Sequence, residues 1–347
     1  MRTVALWIIN FGILEIIIAG LIAVNVLTFV LYAIDKRKAV KKKWRISEAT
    51  LIFFTLACGG IGAFLGMKLL RHKTKHTKFK VMVAVGLIIA FIPAIHVIHG
   101  LTLDRIIRYV EVAFVSENWP PELNGYRIAF MADFHSMTRQ EMYDVHTELN
   151  NRNLDLVLLG GDFSMRNPEL GDKFELISQI HTRDGIFGVE GNHDDYARIF
   201  AKMERLNIRP LNNAGVQIHE GFHLAGVHDA WNRNPDIALA TSGASTDDFV
   251  LLLTHNPDIT MTQPTDGIDL ILAGHTHGGQ ITFFGIPLYL LRGSISDYGM
   301  RFAHGFLESA DGAPIFITRG IGRYYNVPRI FARPEVVIFT MHSRIKK

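Results

Sequence analysis

The chain has 347 residues, a formal net charge of only +3 and a single cysteine, Cys58. That length is enough for a sizeable core and more than one structural unit, and one cysteine excludes a disulfide framework. The charge is unevenly spread: "KRKAVKKKWR" at 36–45 holds seven Lys or Arg and residues 68–80 hold six more, while the composition from about residue 104 onward is that of a mixed globular domain.

In chain order, the first element is the run 4–34, "VALWIINFGILEIIIAGLIAVNVLTFVLYAI", interrupted only by Asn10, Glu15 and Asn25. It exceeds the roughly 20 apolar residues that span a bilayer core. It is also too long, and too weakly basic at its start, for a signal peptide. Two further apolar stretches follow, 50–70 and 81–103. Residues 1–104 are therefore expected to form an all-α, multi-pass membrane domain of two to three transmembrane helices. Within it, "LYAIDKRKA", "WRISEATL" and "GGIGAFLGMKLLRHKTKH" resemble a small bacterial membrane family of unknown function, over about residues 20–80.

The positive-inside rule places Lys36, Arg37 and Lys38 in the cytoplasm, and it places Lys78 and Lys80, before the third stretch, there too. Both hold only if the middle stretch does not cross. Its "CGGIGAFLG" holds glycines able to break a helix into a re-entrant hairpin, although Gly62 and Gly66 also fit ordinary small-xxx-small packing. A re-entrant middle puts the C-terminal domain outside the cytoplasm; a crossing middle puts it inside. We take the exported reading. The basic loops would meet anionic lipid head groups or serve only as topology determinants. Glu15 and His96 alone give little sign of a transport pathway.

Residues 105–123 read as a linker, and 124–347 as a strand-and-loop enzyme domain. Five apolar runs of strand length each end in residues able to bind metal or move protons: "YRIAFMADFH" (126–135), "LDLVLLGGDF" (154–163), "GIFGVEGNHDD" (185–195), "DFVLLLTHNPD" (248–258) and "IDLILAGHTHGG" (268–279). Helix-compatible stretches, such as 139–152 and 196–206, lie between them. This alternation predicts an α/β fold with its site at the C-terminal ends of strands. The residues so placed are Asp133, His135, Asp162, Asn192, His193, Asp194, His255, His275 and His277. One Asp in a turn or one His on a surface is unremarked chemistry. Nine such residues at five strand ends are too many for independent turn roles, and their four histidines, two carboxylates and one amide suit two divalent ions, Mn, Fe or Zn, bound without thiolate, with His193 and Asp194 left over. Alternation along a strand would point Asp133 and His135 to one face, and His275 and His277 likewise if the strand persists through Thr276.

The ordered blocks "DFH", "GGD", "GNHD", "TH" and "GHTHGG" resemble the calcineurin-like metallophosphoesterase family, most of all its membrane-associated branch, over roughly 124–341. The resemblance implies a four-layer α/β/β/α sandwich with a dinuclear centre. One metal would take Asp133, His135, Asp162 and His277. The other would take Asp162, Asn192, His255 and His275, with Asp162 bridging. A bridging hydroxide would attack phosphorus in line, His193 would stabilise the phosphoryl group or protonate the leaving oxygen, and Asp194 would orient His193. His228 in "GVHDAWN" departs from the family pattern and reads as a loop histidine. Arg319 in "ITRGIGRYYNVP" would hold a substrate phosphate or make a structural ion pair, with Tyr324 and Tyr325 lining a wall or packing.

The expected function is membrane-anchored hydrolysis of a phosphodiester or pyrophosphate on a phosphorylated, lipid-linked or envelope substrate, in contact with membrane lipids. Phosphomonoesterase or nuclease activity on the same fold, and a non-catalytic metal-binding scaffold, are the alternatives. Every motif position is filled, which argues against the scaffold. The basic clusters sit beside the membrane stretches instead of the strand ends, so nucleic acid is not an expected partner.

Overall fold

A computed structural model describes residues 13–163, 170–231, 233–287, 295–325 and 327–344. Residues 4–12 of the first apolar run lie outside them. The chain separates into two compact units, Met1–Leu103 and Asp104–Lys347.

In the first unit, α1 (Ile13–Val40) and α4 (Thr77–Thr102) are long helices with no polar face. Ile22, Val26 and Val30 on α1, and Ile88, Phe91 and Ile98 on α4, project outward unburied. A helix apolar all round is one that lipid or protein must cover. Between them stand α2 (Glu48–Phe54), a π-type turn over Thr55–Gly59, and α3 (Gly60–Leu69). By length and composition the middle stretch Glu48–Leu69 also qualifies as a span. Its path folds back on itself. The backbone leaves helical geometry at Ala57 and turns left-handed at Cys58, with φ 65°. A continuous helix would put residues 48 and 73 about 37 Å apart, yet Lys73 Nζ lies 2.6 Å from Glu48 Oε1. Asp35 on α1 receives Arg45 and the Ile46 amide from the start of the stretch, and pairs with His72 at its end. The stretch is a hairpin with both ends at the level of Asp35.

The backbone groups freed at its tip are taken by Asn25. The Asn25 amide donates to the Cys58 carbonyl (3.0 Å), and its carbonyl accepts from the Gly62 N–H (2.9 Å). The tip meets α4 where a Cβ at Gly60 would strike the Gly86 backbone, so glycine is required at that crossing. The polar residue Asn25 is therefore structural, filling the role that water plays at breaks in soluble helices.

Among the described residues the second unit stacks two six-stranded sheets: in order, β1 (Arg108–Ser116), β14 (Glu335–Ser343), β2 (Tyr126–Met131), β3 (Leu156–Gly160), β4 (Ile186–Val189) and β5 (Ile208–Pro210) form one, and β12 (Gly305–Glu308), β13 (Pro314–Ile317), β9 (Leu270–Ala273), β8 (Phe249–Leu253), β7 (Phe222–Gly226) and β6 (Ala214–His219) the other. In the first, β2, β3 and β4 run parallel. In the second, β7, β8 and β9 do so. Strand periodicity divides the cores. Ile128 and Phe130 of β2, Leu156 and Leu158 of β3, Leu251 of β8, and Leu270 and Leu272 of β9 fill the space between the sheets. Ala129, Met131, Val157 and Leu159 face the opposite way, onto Val145, Leu149, Phe174 and Met203 of the helices outside the first sheet. Val250, Leu252 and Ile271 face Ile237 and Ala240 outside the second. This is the α/β/β/α layering expected of residues 124–347.

One boundary is corrected. Residues 105–123 are not a linker: β1 (Arg108–Ser116) pairs in parallel with β14 (Glu335–Ser343) along nine residues, at the edge of the first sheet. Its alternating burial is that of an edge strand, whose polar half reads in sequence like a connector.

Candidate metal centre

The strands end before the chemistry begins. β2 stops at Met131, β3 at Gly160 and β9 at Ala273, and the side chains of interest stand two to four residues beyond. Asp133 (φ 58°), His135 (29°), Asp162 (58°), His275 (73°) and His277 (54°) all have left-handed backbones. This overturns the expectation that Asp133 with His135, and His275 with His277, share a face through strand pleating. Thr276 is in the right-handed helical region, and tight turns bring the pairs together instead. Left-handed non-glycine residues cost on the order of 1 kcal/mol or more each and cluster at functional sites.

Two groups of donors result. In one, His135 Nε2 lies 3.0 Å from His277 Nε2 and 3.2 Å from Asp162 Oδ2, and His277 Nε2 is 3.5 Å from Asp133 Oδ1. In the other, Asn192 Oδ1 lies 3.1 Å from His255 Nε2 and 3.0 Å from His275 Nδ1. His255 Nε2 is also 3.3 Å from Asp162 Oδ2. A single oxygen, Asp162 Oδ2, thus stands between the two groups. Asp133, His135 and His277, and separately Asp133, Asp162 and His255, lie close enough to hold a cation.

The tautomers fit metal binding. His255 Nδ1 donates to the Gly160 carbonyl at 2.7 Å, and His275 Nε2 to the Ile295 carbonyl at 2.7 Å. Each ring therefore turns its other nitrogen, Nε2 and Nδ1 respectively, into the cluster. The protein's own charges are in conflict there. Burial, with Asp162 alongside, raises the Asp133 carboxyl to about 6. Burial and the neighbouring His255 lower His275 to about 3. Burial, His135 and the Arg329 guanidinium hold His277 well below its ordinary range. Burial opposes protonation of His255 as well, but the adjacent Asp162 outweighs it and raises that ring well above the usual value. Buried carboxylates with convergent imidazole lone pairs are what divalent cations neutralise.

His193 stands at the exposed rim, its ring 5.5 Å from His135 and 5.3 Å from Tyr324, and its amide donates to Asp162 Oδ1 at 2.9 Å. Burial lowers its pKa. The Asp194 carboxylate accepts from the Phe163 and Gly191 amides, fixing the loop that carries His193. Tyr324 packs against the His135, His193 and His277 rings, forming a wall. Arg319 is engaged by Glu335 (3.0 Å) and His304 (2.6 Å), the structural ion pair of the two expectations. His228 bonds to buried Glu190.

Three contributors carried no sequence signal of their own. Arg329 is fully buried and donates to the carbonyls of Gly322, His277 and Ala332. Lys173 donates to the His135 carbonyl at 2.7 Å. Trp231 lies edge-on to His275 at 4.6 Å. A hint existed for the neighbouring glycines of "RGIG": a side chain at Gly320 would collide with Asp133.

Residues 126–279 match the family model described as calcineurin-like phosphoesterase, and residues 25–79 match a family described as protein of unknown function. The chain is 25% identical over 308 residues to an uncharacterized metallophosphoesterase of Campylobacter jejuni, covering 85% of this chain and 79% of that one. It is 29% identical over 226 residues to one of Helicobacter pylori, covering 61% and 58%. It is 27% identical over 253 residues to a transmembrane protein with metallophosphoesterase domain from Danio rerio, covering 66% and 56%. The chain thus spans under two thirds of the length of the latter two relatives.

Proposed function

Starting from a calcineurin-like phosphoesterase domain, which makes the second unit a metal-dependent phosphoesterase, we propose that the chain is a membrane-anchored phosphohydrolase. It cleaves phosphodiester or pyrophosphate bonds at a centre for two divalent cations. Asp133, His135, Asp162 and His277 would hold one ion, and Asp162, Asn192, His255 and His275 the other. The observation that carries this reading is the Asp162 oxygen within 3.3 Å of imidazole nitrogens from both groups. When bound, the ions would supply an activated water and neutralise charge building on the phosphoryl oxygens. The chain's own residues do the rest. His193 offers a ring N–H at the rim to a phosphoryl or leaving oxygen. Tyr324 and Trp231 wall the approach, and the Asp194 carboxylate holds the His193 loop.

The hairpin of the first unit supports placing the domain outside the cytoplasm. With both hairpin ends at the level of Asp35, the basic residues of 36–45 and 68–80 fall on one side, and α4 then crosses once before Asp104. A lipid-linked or envelope phosphate is the substrate class that suits this position.

Purified full-length protein with manganese should hydrolyse bis(4-nitrophenyl) phosphate and lose the activity in Asp162→Asn. Full activity in that variant would remove the two-ion assignment. A reporter fused after Lys347 tests the side: a cytoplasmic signal overturns the re-entrant path.

A further inference from the structure

Immediately after the metal-centre turn the chain makes a short ribbon, β10 (Thr282–Phe283) and β11 (Ile286–Pro287), closed by Phe284 and Gly285. Its base is anchored: the Thr282 amide and hydroxyl both donate to the Ile330 carbonyl at 3.0 Å. Its tip is about half exposed. Phe283 is 42% exposed, Phe284 50% and Ile286 51%. Single exposed apolar residues are ordinary, but three large ones on a tip of six residues form a patch.

The patch continues toward the point where the chain enters this unit. Phe284 packs on Phe331 with ring centres 5.3 Å apart. Two residues on, Arg333 donates to the Ile106 carbonyl at 3.1 Å, and Ile106 is itself 50% exposed. Arg105 and Arg108, both exposed, flank Ile106. Aromatic and aliphatic tips ringed by arginine are the composition of a bilayer interface, where rings enter the head-group layer and guanidinium groups meet phosphate.

Covalent continuity names the occupant. Asp104 follows the apolar helix Thr77–Thr102 by one residue, so the Ile106 end of this face cannot leave the neighbourhood of the bilayer that the helix crosses. A tether this short makes docking effectively intramolecular.

We propose that the β10–β11 hairpin, with Phe331 and Ile106 beside it, docks into the surface of the bilayer that the chain's own helix leaves at Thr102. Docking would draw the metal centre toward head-group level, because the ribbon begins only five residues after His277. The substrate class that follows is a phosphate ester of a membrane lipid. That half of the proposal rests on the phosphoesterase reading; the docking stands on geometry alone.

The test uses the full-length chain in nanodiscs with nitroxide groups on the lipid acyl chains. Cys58 is replaced by glycine, which suits its left-handed backbone, and an environment-sensitive fluorophore is attached at Phe284→Cys or, as a control on the β6–β7 turn, at Glu220→Cys. The label at 284 should be quenched about fivefold more than that at 220, as for a side chain at acyl-chain depth. Equal quenching overturns the proposal. So does quenching between labels that rises with copies per disc without any from lipid, which would make a second copy of the chain the occupant. Independently, Phe283→Ser with Phe284→Ser should lower the ratio of activity on a bilayer phosphodiester lipid to activity on bis(4-nitrophenyl) phosphate by about tenfold. An unchanged ratio also overturns it. If the unsubstituted chain hydrolyses neither compound while label 284 is still quenched, docking stands and the phosphoesterase reading falls.

Discussion

Both units break regular structure at their most informative point, and they treat the freed polar groups in opposite ways. At Cys58 the helix stops inside an apolar environment, and Asn25 takes the loose carbonyl and amide with one side chain. At the strand ends of the second unit, His255 and His275 each spend one nitrogen on a backbone carbonyl and turn the other into a shared space. The first arrangement closes on itself, as hydrocarbon demands. The second converges imidazoles and carboxylates, hydrogen-bonded to one another, into groups that could hold a cation. Polar groups that close on the backbone at a break mark architecture; titratable ones that converge on each other mark chemistry.

The contrast can be broken at either end. The largest effect is expected from Asp162→Asn, which removes the oxygen standing between both donor groups. Turnover should fall by about a thousandfold or more, with the bound-metal content measured alongside. Retention of both metal and activity would show that the convergence is not a metal centre. Asn25→Leu tests the other end, since it leaves the Cys58 carbonyl and Gly62 amide without that partner in an apolar setting. A loss of about 2–4 kcal/mol is expected, read as a lower denaturation midpoint in detergent. An unaltered midpoint would mean that the hairpin tip has another source of satisfaction. Arg329→Met leaves the ligands in place but removes the brace on the His277 carbonyl. Metal affinity should weaken about 10–100-fold, measurable by competition with a chelator.

Much of this was legible in sequence, and the limits are physical. Five strands could be read because each is a short run buried on both faces and ended by polar residues. The identities of the site residues could be read because Asp, Asn and His recur at all five ends. The geometry could not. Strand alternation misassigns the way Asp133 meets His135, because the residues lie beyond the strand in turns that cost backbone strain, and no local pattern announces strain. β1 was hidden because an edge strand with half its residues exposed looks like a connector. Arg329 and Lys173 were invisible since their partners are carbonyl oxygens, which carry no side-chain signature. The fold-back in the first unit could not be read from its glycines alone, because they serve helix packing and helix breaking equally; Glu48 meeting Lys73 is what brings the two ends of the stretch together.

The smallest predicted effect separates ordinary polar burial from both cases above. Asp184 precedes β4, at the opposite end of that strand from Asn192 and His193, and accepts hydrogen bonds from the Tyr126 hydroxyl at 2.7 Å, from Arg183, and from His219 at 2.8 Å. Burial works to raise its carboxyl, but those hydrogen bonds outweigh it and hold the group below its usual range. A carboxyl whose folded pKa is depressed stabilises the fold above its unfolded pKa, near 4, and loses that contribution as pH falls through the lower folded value. Asp184→Asn should therefore cost about 1–2 kcal/mol at neutral pH and almost nothing near pH 2, flattening the acid limb of the stability curve. Activity per folded molecule should stay unchanged, because this carboxylate is satisfied within the protein, as the tip at Asn25 is. A fall in turnover without a fall in stability would place Asp184 with the metal centre instead.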